Sequence, residues 1–196
     1  MMSKSGEWAL REEEKSIQRF ENEGEYQNMI NEKRKEAENS VKHHFNEILK
    51  ERLESTSVPY HKLLDVAFNN EEFHQTIWNA STVILPGLEV QVVIDGNNKC
   101  FVSTGTPGFV DFFEPPVGMS LPIRCWIHTH PFGSAYFSGT DIRTVSIWEP
   151  YMESAYVLGG MQHYGRWDKV NPQQLLIYEN NELIRQQTWE KKEEEE

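Results

Sequence analysis

The spacing of apolar residues changes several times along this chain, and each change marks a different element. From residue 1 to about 54, Glu, Lys, Arg and Asn dominate, no proline occurs, and apolar positions are sparse. In VKHHFNEILKERLE, however, Val41, Phe45, Ile48, Leu49 and Leu53 recur at three- and four-residue steps. That period predicts a helix with one apolar stripe, with Ser40 available to cap its start. Residues 1–56 therefore read as a charged helical extension. It is a docking arm, a self-association element or a surface for a partner protein, or else a solvated helix packed along its own domain.

From Val58 the pattern tightens. YHKLLDVAFNNEEFHQTIWNA predicts one or two helical segments with a break near Asn69-Asn70. In TVILPGLEVQVVIDGNNKCFVST, Val, Ile and Leu dominate, and Asp95-Gly96-Asn97-Asn98 separates two β-prone runs, which is a hairpin signal. TPGFVDFFEPP is a short strand or loop between Gly and Pro. LPIRCWIHTHP is a strand that Pro131 should end. SGTDIRTVSIWEPYM predicts a helix beginning near Asp141 and capped by Ser138 or Thr140. SAYVLGGM is a further strand, with QHYGRW in the next strand or turn. QQLLIYENNELIRQQTWE forms a hairpin around Asn180-Asn181, or a strand leading into a terminal helix. The expected fold is α/β (α+β): a mixed sheet flanked by helices over residues 57–188, preceded by the extension and followed by an acidic tail at 189–196.

Composition narrows the function classes. With 38% hydrophobic and 12% aromatic residues, the 196-residue chain can build one domain with a core plus an appendage. A net charge of −12 repels nucleic-acid backbones and anionic membranes, so neither is an expected partner. No apolar run is long enough for a bilayer, and the N-terminal residues lack the apolar core of a secretory signal. The expected compartment is the cytoplasm. Cys100 and Cys125 form no Cys-x-x-Cys, which excludes a cysteine-based structural zinc site, and both are expected as buried free thiols.

The candidate chemistry lies in HTHPFGSAYFSGTD, residues 128–141. On a strand, positions i and i+2 share a face, so His128 and His130 project side by side. Pro131 leaves the pair at the strand's end. Asp141, beyond a loop, can return to the same point as a third ligand. Two imidazoles and one carboxylate leave a tetrahedral Zn²⁺ one open position, the arrangement of a hydrolytic site. A bare His-x-His is usually structural, so the surrounding pattern carries the argument: a β-prone run before it, Pro directly after it, and Ser138-Gly139-Thr140 before the Asp. Among other residues, His43, His44, His61, His74 and His163 are expected as surface or satisfied histidines. Trp126, Trp148 and Trp167 are expected in the core. Phe132, Tyr136 and Phe137 either contact an extended substrate or pack the loop onto the sheet.

HTHPFGSAYFSGTD resembles the JAMM motif of MPN+ domain metallopeptidases: His-x-His-Pro, six residues, Ser, two residues, Asp. The resemblance covers roughly residues 57–180 and leaves out the first 54. It implies an MPN-like fold and zinc-dependent hydrolysis of isopeptide or peptide bonds, commonly in ubiquitin-like conjugates. It also implies Zn²⁺ held by His128, His130 and Asp141, with Ser138 donating to the oxyanion. The family further has an upstream Glu as general base, and EVQVVIDG offers Glu89. Ile94 and Gly96 fall in matching places, whereas Val92 stands where the family often has Gly. Glu114, in DFFEPP, is the rival. The short span from Glu89 to His128 leaves little room for long insertions, which suggests a small prokaryotic or viral version. In that version the N-terminal arm or a partner supplies substrate recognition. Two other readings stay open: a ligand-depleted scaffold of the MPN type, and a zinc cell-wall endopeptidase or amidase using the same ligands.

Overall fold

The computed structural model describes residues 4–55, 71–106, 112 and 114–188, and the side chains among them from 22 to 51, 72 to 106, at 112 and from 114 to 188. Among the described residues, three α-helices and seven strands form one α+β unit: α1 (Lys4–Ser55), α2 (Glu71–Asn79), β1 (Val90–Ile94), β2 (Cys100–Thr104), β3 (Cys125–Thr129), α3 (Gly139–Trp148), β4 (Ser154–Leu158), β5 (His163–Asp168), β6 (Gln174–Glu179) and β7 (Glu182–Thr188). The strands make a single sheet in the order β2-β1-β3-β4-β5-β6-β7. Every neighbouring pair is antiparallel except β3 and β4, which run parallel because α3 carries the chain back between them.

Both faces of the sheet are covered, and strand alternation explains how. Val90, Val92, Ile94, Cys125, Ile127, Tyr156 and Leu158 form one core with Ala37, Val41, Phe45 and Ile48 of α1 and Phe73 and Ile77 of α2. The alternate positions Val93, Trp126, Ala155, Val157, Trp167 and Leu175 pack with Val145 of α3 and with Phe112, Ile123, Phe137 and Met152. β1 and β3, each buried at all five positions, therefore read as continuous apolar runs and not as alternating ones.

Most of the expected elements are present. The Asp95–Asn98 turn joins β1 to β2, and Asp95 organises it. Its Oδ1 accepts the amides of Asn97 (2.9 Å) and Lys99 (2.8 Å), and its Oδ2 accepts that of Ser120 (3.0 Å). The last two strands form a hairpin, not a strand followed by a helix. Asn180 and Asn181 take φ values of 50° and 63°, the left-handed pair that a two-residue turn requires. Two expectations are corrected. Ser40 caps nothing, because the helix begins at Lys4 and Ser40 lies in its interior. Thr82-Val83-Ile84, at the start of the run expected to be β-prone, instead belong to a short π-helical continuation of α2, Ala80–Ile84, whose Ala80 is packed in the core.

Both cysteines are free thiols, as expected, but only Cys125 is buried; Cys100 is part-buried at the start of β2. Both lie opposite Ile94, Cys100 on β2 and Cys125 on β3. Two strand spacings, about 9.6 Å, separate them, beyond the roughly 7 Å span of a disulfide. Burial pushes the Cys100 thiol up to about 12, so it is an inert packing group. Among the described residues, no helix is long and apolar enough to cross a membrane.

Candidate metal centre

The candidate ligands converge where β3 ends and α3 begins. His128 is the fourth residue of β3 and is fully buried. His130 follows the strand, and its amide still bonds to Leu158 O of β4 at 2.8 Å, which prolongs the parallel pairing by one step. Asp141 is the third residue of α3 and is also buried. His128 Nε2 lies 2.9 Å from Asp141 Oδ1, and His130 Nε2 lies 3.5 Å from Asp141 Oδ2. One ligand atom from each of the three residues lies within 4.8 Å of the others. With bonds of about 2.0–2.1 Å, tetrahedral ligands sit roughly 3.4 Å apart, so three groups this close together could share one small ion.

The polar atoms at this point support that use. His128 Nδ1 and Nε2 and His130 Nδ1 are buried with no hydrogen-bond partner among the described residues. His128 Nε2 nonetheless lies close enough to the carboxylate to form an ion pair when the ring is protonated. Unpaired buried polar atoms are rare and call for a reason. A cation between the two groups supplies one, because it takes an imidazole lone pair and a carboxylate charge together. Burial alone would raise the Asp141 pKa. Electrostatic attraction to His128 and the proximity of His128, His130 and Ser138 instead hold its carboxyl well below the usual carboxylate range. It is ionised at neutral pH, as a ligand must be.

Local sequence explains the precision of the arrangement. Ser138 caps α3. Its Oγ accepts the Asp141 amide (3.2 Å), while Asp141 Oδ2 accepts the Ser138 amide (2.6 Å), a reciprocal capping box. The cap thus fixes the carboxylate before any ion arrives. The loop from Pro131 to Phe137 is anchored by Phe137, buried in the core, and by close approach to Gly159. A Cβ on Gly159 would meet Ala135 N at 2.0 Å, so only glycine fits there. Phe132 and Tyr136 are exposed, at 78% and 47%, and the Tyr136 ring lies 5.0 Å from that of His130. Phe137 accordingly packs the loop, Phe132 lies against Gly87, and Tyr136 is left beside His130.

Glu89 directly precedes β1 and is buried. Its backbone is held by β2, with Gly105 N donating to Glu89 O at 2.9 Å. Gln91 pairs with His128, so continuing the register two residues places Glu89 across from His130. Directly opposed residues share a face of the sheet, so Glu89 is on the face of the two histidines. Glu114 is exposed on the segment after Phe112.

Sequence reading missed Gln91. Trp126, expected simply as core, stacks on His128 with ring centroids 4.4 Å apart and planes at 17°. Its Nε1 donates to Gln91 Oε1 at 2.9 Å, and Gln91 Nε2 donates to Ser103 Oγ at 3.1 Å. The His128 ring is thus oriented by a stacked indole, which Gln91 holds in place. The signal was visible in VQVVI, where a single polar residue interrupts an otherwise apolar strand. Gln91→Leu is expected to leave the indole N–H unpaired in the core and to lower stability by about 1–3 kcal/mol, measured by urea unfolding. Of the other histidines, His44 contacts Thr76 Oγ1 at 2.6 Å, and His74 is buried among the rings of Tyr156 and Tyr164. His61 lies outside the described residues.

Compared with protein-family models, curated proteins and solved structures, the chain matches none.

Proposed function

We propose that this chain is a zinc-dependent amide hydrolase of the JAMM/MPN+ type, cleaving isopeptide or peptide bonds in a ubiquitin-like conjugate or precursor. The observation that carries the reading is the convergence of His128, His130 and Asp141, with ligand atoms within 4.8 Å of one another in a buried, capped position. The ordered match of HTHPFGSAYFSGTD to the JAMM motif adds the reaction class. A mixed sheet with helices on both faces is compatible with an MPN-like fold.

When bound, zinc supplies Lewis acidity, which polarises a carbonyl and acidifies water. The chain's own residues divide the remaining work. His128, fixed by its stack on Trp126, and His130 present imidazole nitrogens from one strand end, and Asp141 contributes a carboxylate set by the capping box. Glu89 accepts the proton of the attacking water and passes it to the leaving amine. The Ser138 hydroxyl already accepts one hydrogen bond from the Asp141 amide, and its own O–H remains to donate to the developing oxyanion. Burial of His128, Trp126 and Asp141 dries one side of the site, which strengthens each of these electrostatic contacts.

Ser138 thus has two tasks, and one substitution separates them. Ser138→Ala is expected to cost about 1 kcal/mol of stability through the lost cap. It is also expected to lower kcat on the order of 10²-fold through the lost donor. Ser138→Gly, which costs a cap only a few tenths of a kcal/mol, should show the kcat loss almost alone. Equal kcat in Ser138→Gly and the wild type would restrict Ser138 to capping.

The reading as a whole is tested by mass spectrometry of reaction mixtures, with and without chelator. The panel contains ubiquitin-like protein conjugates, linear precursors and peptidoglycan fragments. Chelator-sensitive cleavage at an isopeptide or peptide bond of a protein substrate is the expected result. Cleavage of peptidoglycan fragments alone would assign a cell-wall endopeptidase. No cleavage by protein carrying the metal would assign a scaffold.

A further inference from the structure

Helix α1 runs unbroken from Lys4 to Ser55, yet among its described side chains, which start at residue 22, the contribution to the core begins only at Ala37. The 33 residues from Lys4 to Glu36 would extend about 50 Å at 1.5 Å per residue. A long helix that is polar on most sides, with Gly24 near its middle, gains little from intrinsic propensity. Tyr26 and Met29 are exposed at 55% and 44%.

The charges of this segment form a self-complementary pattern. Arg11-Glu12-Glu13-Glu14-Lys15, read forwards, opposes Glu36-Lys35-Arg34-Lys33-Glu32, read backwards, with opposite sign at all five positions. The same exchange matches Ile17 with Ile30 and Phe20 with Gln27. Leu10, Glu13, Ile17, Phe20, Gly24, Gln27, Ile30, Arg34 and Ala37 follow one another in steps of three and four, the spacing of a helix–helix seam, and the exchange maps all of them except the central Gly24 onto members of the series. Ala37 is already covered by its own domain, so the matched stretch ends where the domain begins. None of Glu32, Lys33, Arg34, Lys35 and Glu36 takes part in an ion pair among the described residues. The Nε of Arg34 is buried without a hydrogen-bond partner.

We propose that residues 11–36 of α1 are a homodimerisation surface, pairing antiparallel with the same segment of a second copy about a two-fold axis near Glu23-Gly24. Two features select the second copy as occupant. Antiparallel pairing about this axis opposes each of the five charges of residues 11–15 with its complement among residues 32–36, whereas parallel in-register pairing would set like charges together. A continuous helix cannot fold back to satisfy its own pattern, so the complement comes from another chain. The self-complementary patch is what an isologous interface requires. The two domains then lie at opposite ends of the paired helices.

Sedimentation equilibrium of the full chain at roughly 50 mM and 1 M salt tests the proposal. A mass of twice the chain is expected at low salt, with weaker association at high salt. E12K/E13K/E14K and K33E/R34E/K35E should each be monomeric, with association weakened at least about 100-fold by like-charge contacts. Mixing the two triple variants should restore a 1:1 dimer, and combining all six changes in one chain should restore the homodimer. Restoration also shows that the variants fold. A wild-type monomer across the concentration range would overturn the proposal. So would triple variants that dimerise like the wild type, or a mixture and a six-fold variant that stay monomeric. Metal binding at His128, His130 and Asp141 is expected to be equal in monomeric and dimeric forms, so this test stands apart from that of the hydrolase reading.

Discussion

Glu89→Gln is expected to lower amide hydrolysis on the order of 10²–10⁴-fold, the range for removing a positioned general base. Metal content should be unchanged. The expectation follows from where the backbone puts Glu89. It sits just before β1, buried, at the register position across from His130 and on the histidine face of the sheet. A carboxylate there is close to the site without belonging to the His128–His130–Asp141 group. Gln keeps the shape and removes the basicity, so kcat carries the loss and KM moves little. Glu114→Gln, on an exposed segment, should leave both unchanged. Normal turnover in Glu89→Gln would remove Glu89 from the role of base, and simultaneous loss of metal would make it a ligand instead.

Asp141→Asn is the second large effect, and it separates charge from architecture. The Asn side-chain oxygen can still accept the Ser138 amide, so the helix cap survives. What is lost is the only negative charge among the three ligands. Metal affinity is expected to fall by more than about 100-fold, because even removal of an outer partner of a ligand costs 10–100-fold. The readout is thermal stability with and without zinc. At a concentration of about 100 times Kd, the ion should stabilise wild-type protein by roughly 2.7 kcal/mol. The same zinc concentration should stabilise Asp141→Asn by no more than about 0.4 kcal/mol. Equal stabilisation of both proteins would place the ion elsewhere.

How much of this was legible in the sequence differs from element to element. The β1–β2 hairpin, β3 ending at Pro131, and α3 opening at Ser138 were all readable, because each rests on local chemistry: turn asparagines, a proline stop, a capping serine. The convergence of His128, His130 and Asp141 was readable for the same reason. Two of the three share a strand face and the third is tied to a cap, so little depends on distant packing. The π-helical turn at Ala80–Ile84 was not readable, since its composition favours a strand and only tertiary burial overrides it. The helical character of residues 1–56 was legible, but which of its open roles held was not: the final stripe of α1 is part of the domain core. Gln91 was passed over because its task, holding Trp126 against His128, exists only once β1 and β3 are paired.

Everything functional here depends on one divalent ion at the end of β3. The direct measurement is titration of chelator-stripped full chain with Zn²⁺, followed by elemental analysis after desalting, alongside His130→Ala. One ion per wild-type chain, retained through desalting and absent from His130→Ala, is the predicted result. A wild-type chain that retains no ion, or a His130→Ala chain that retains it equally, would contradict the account.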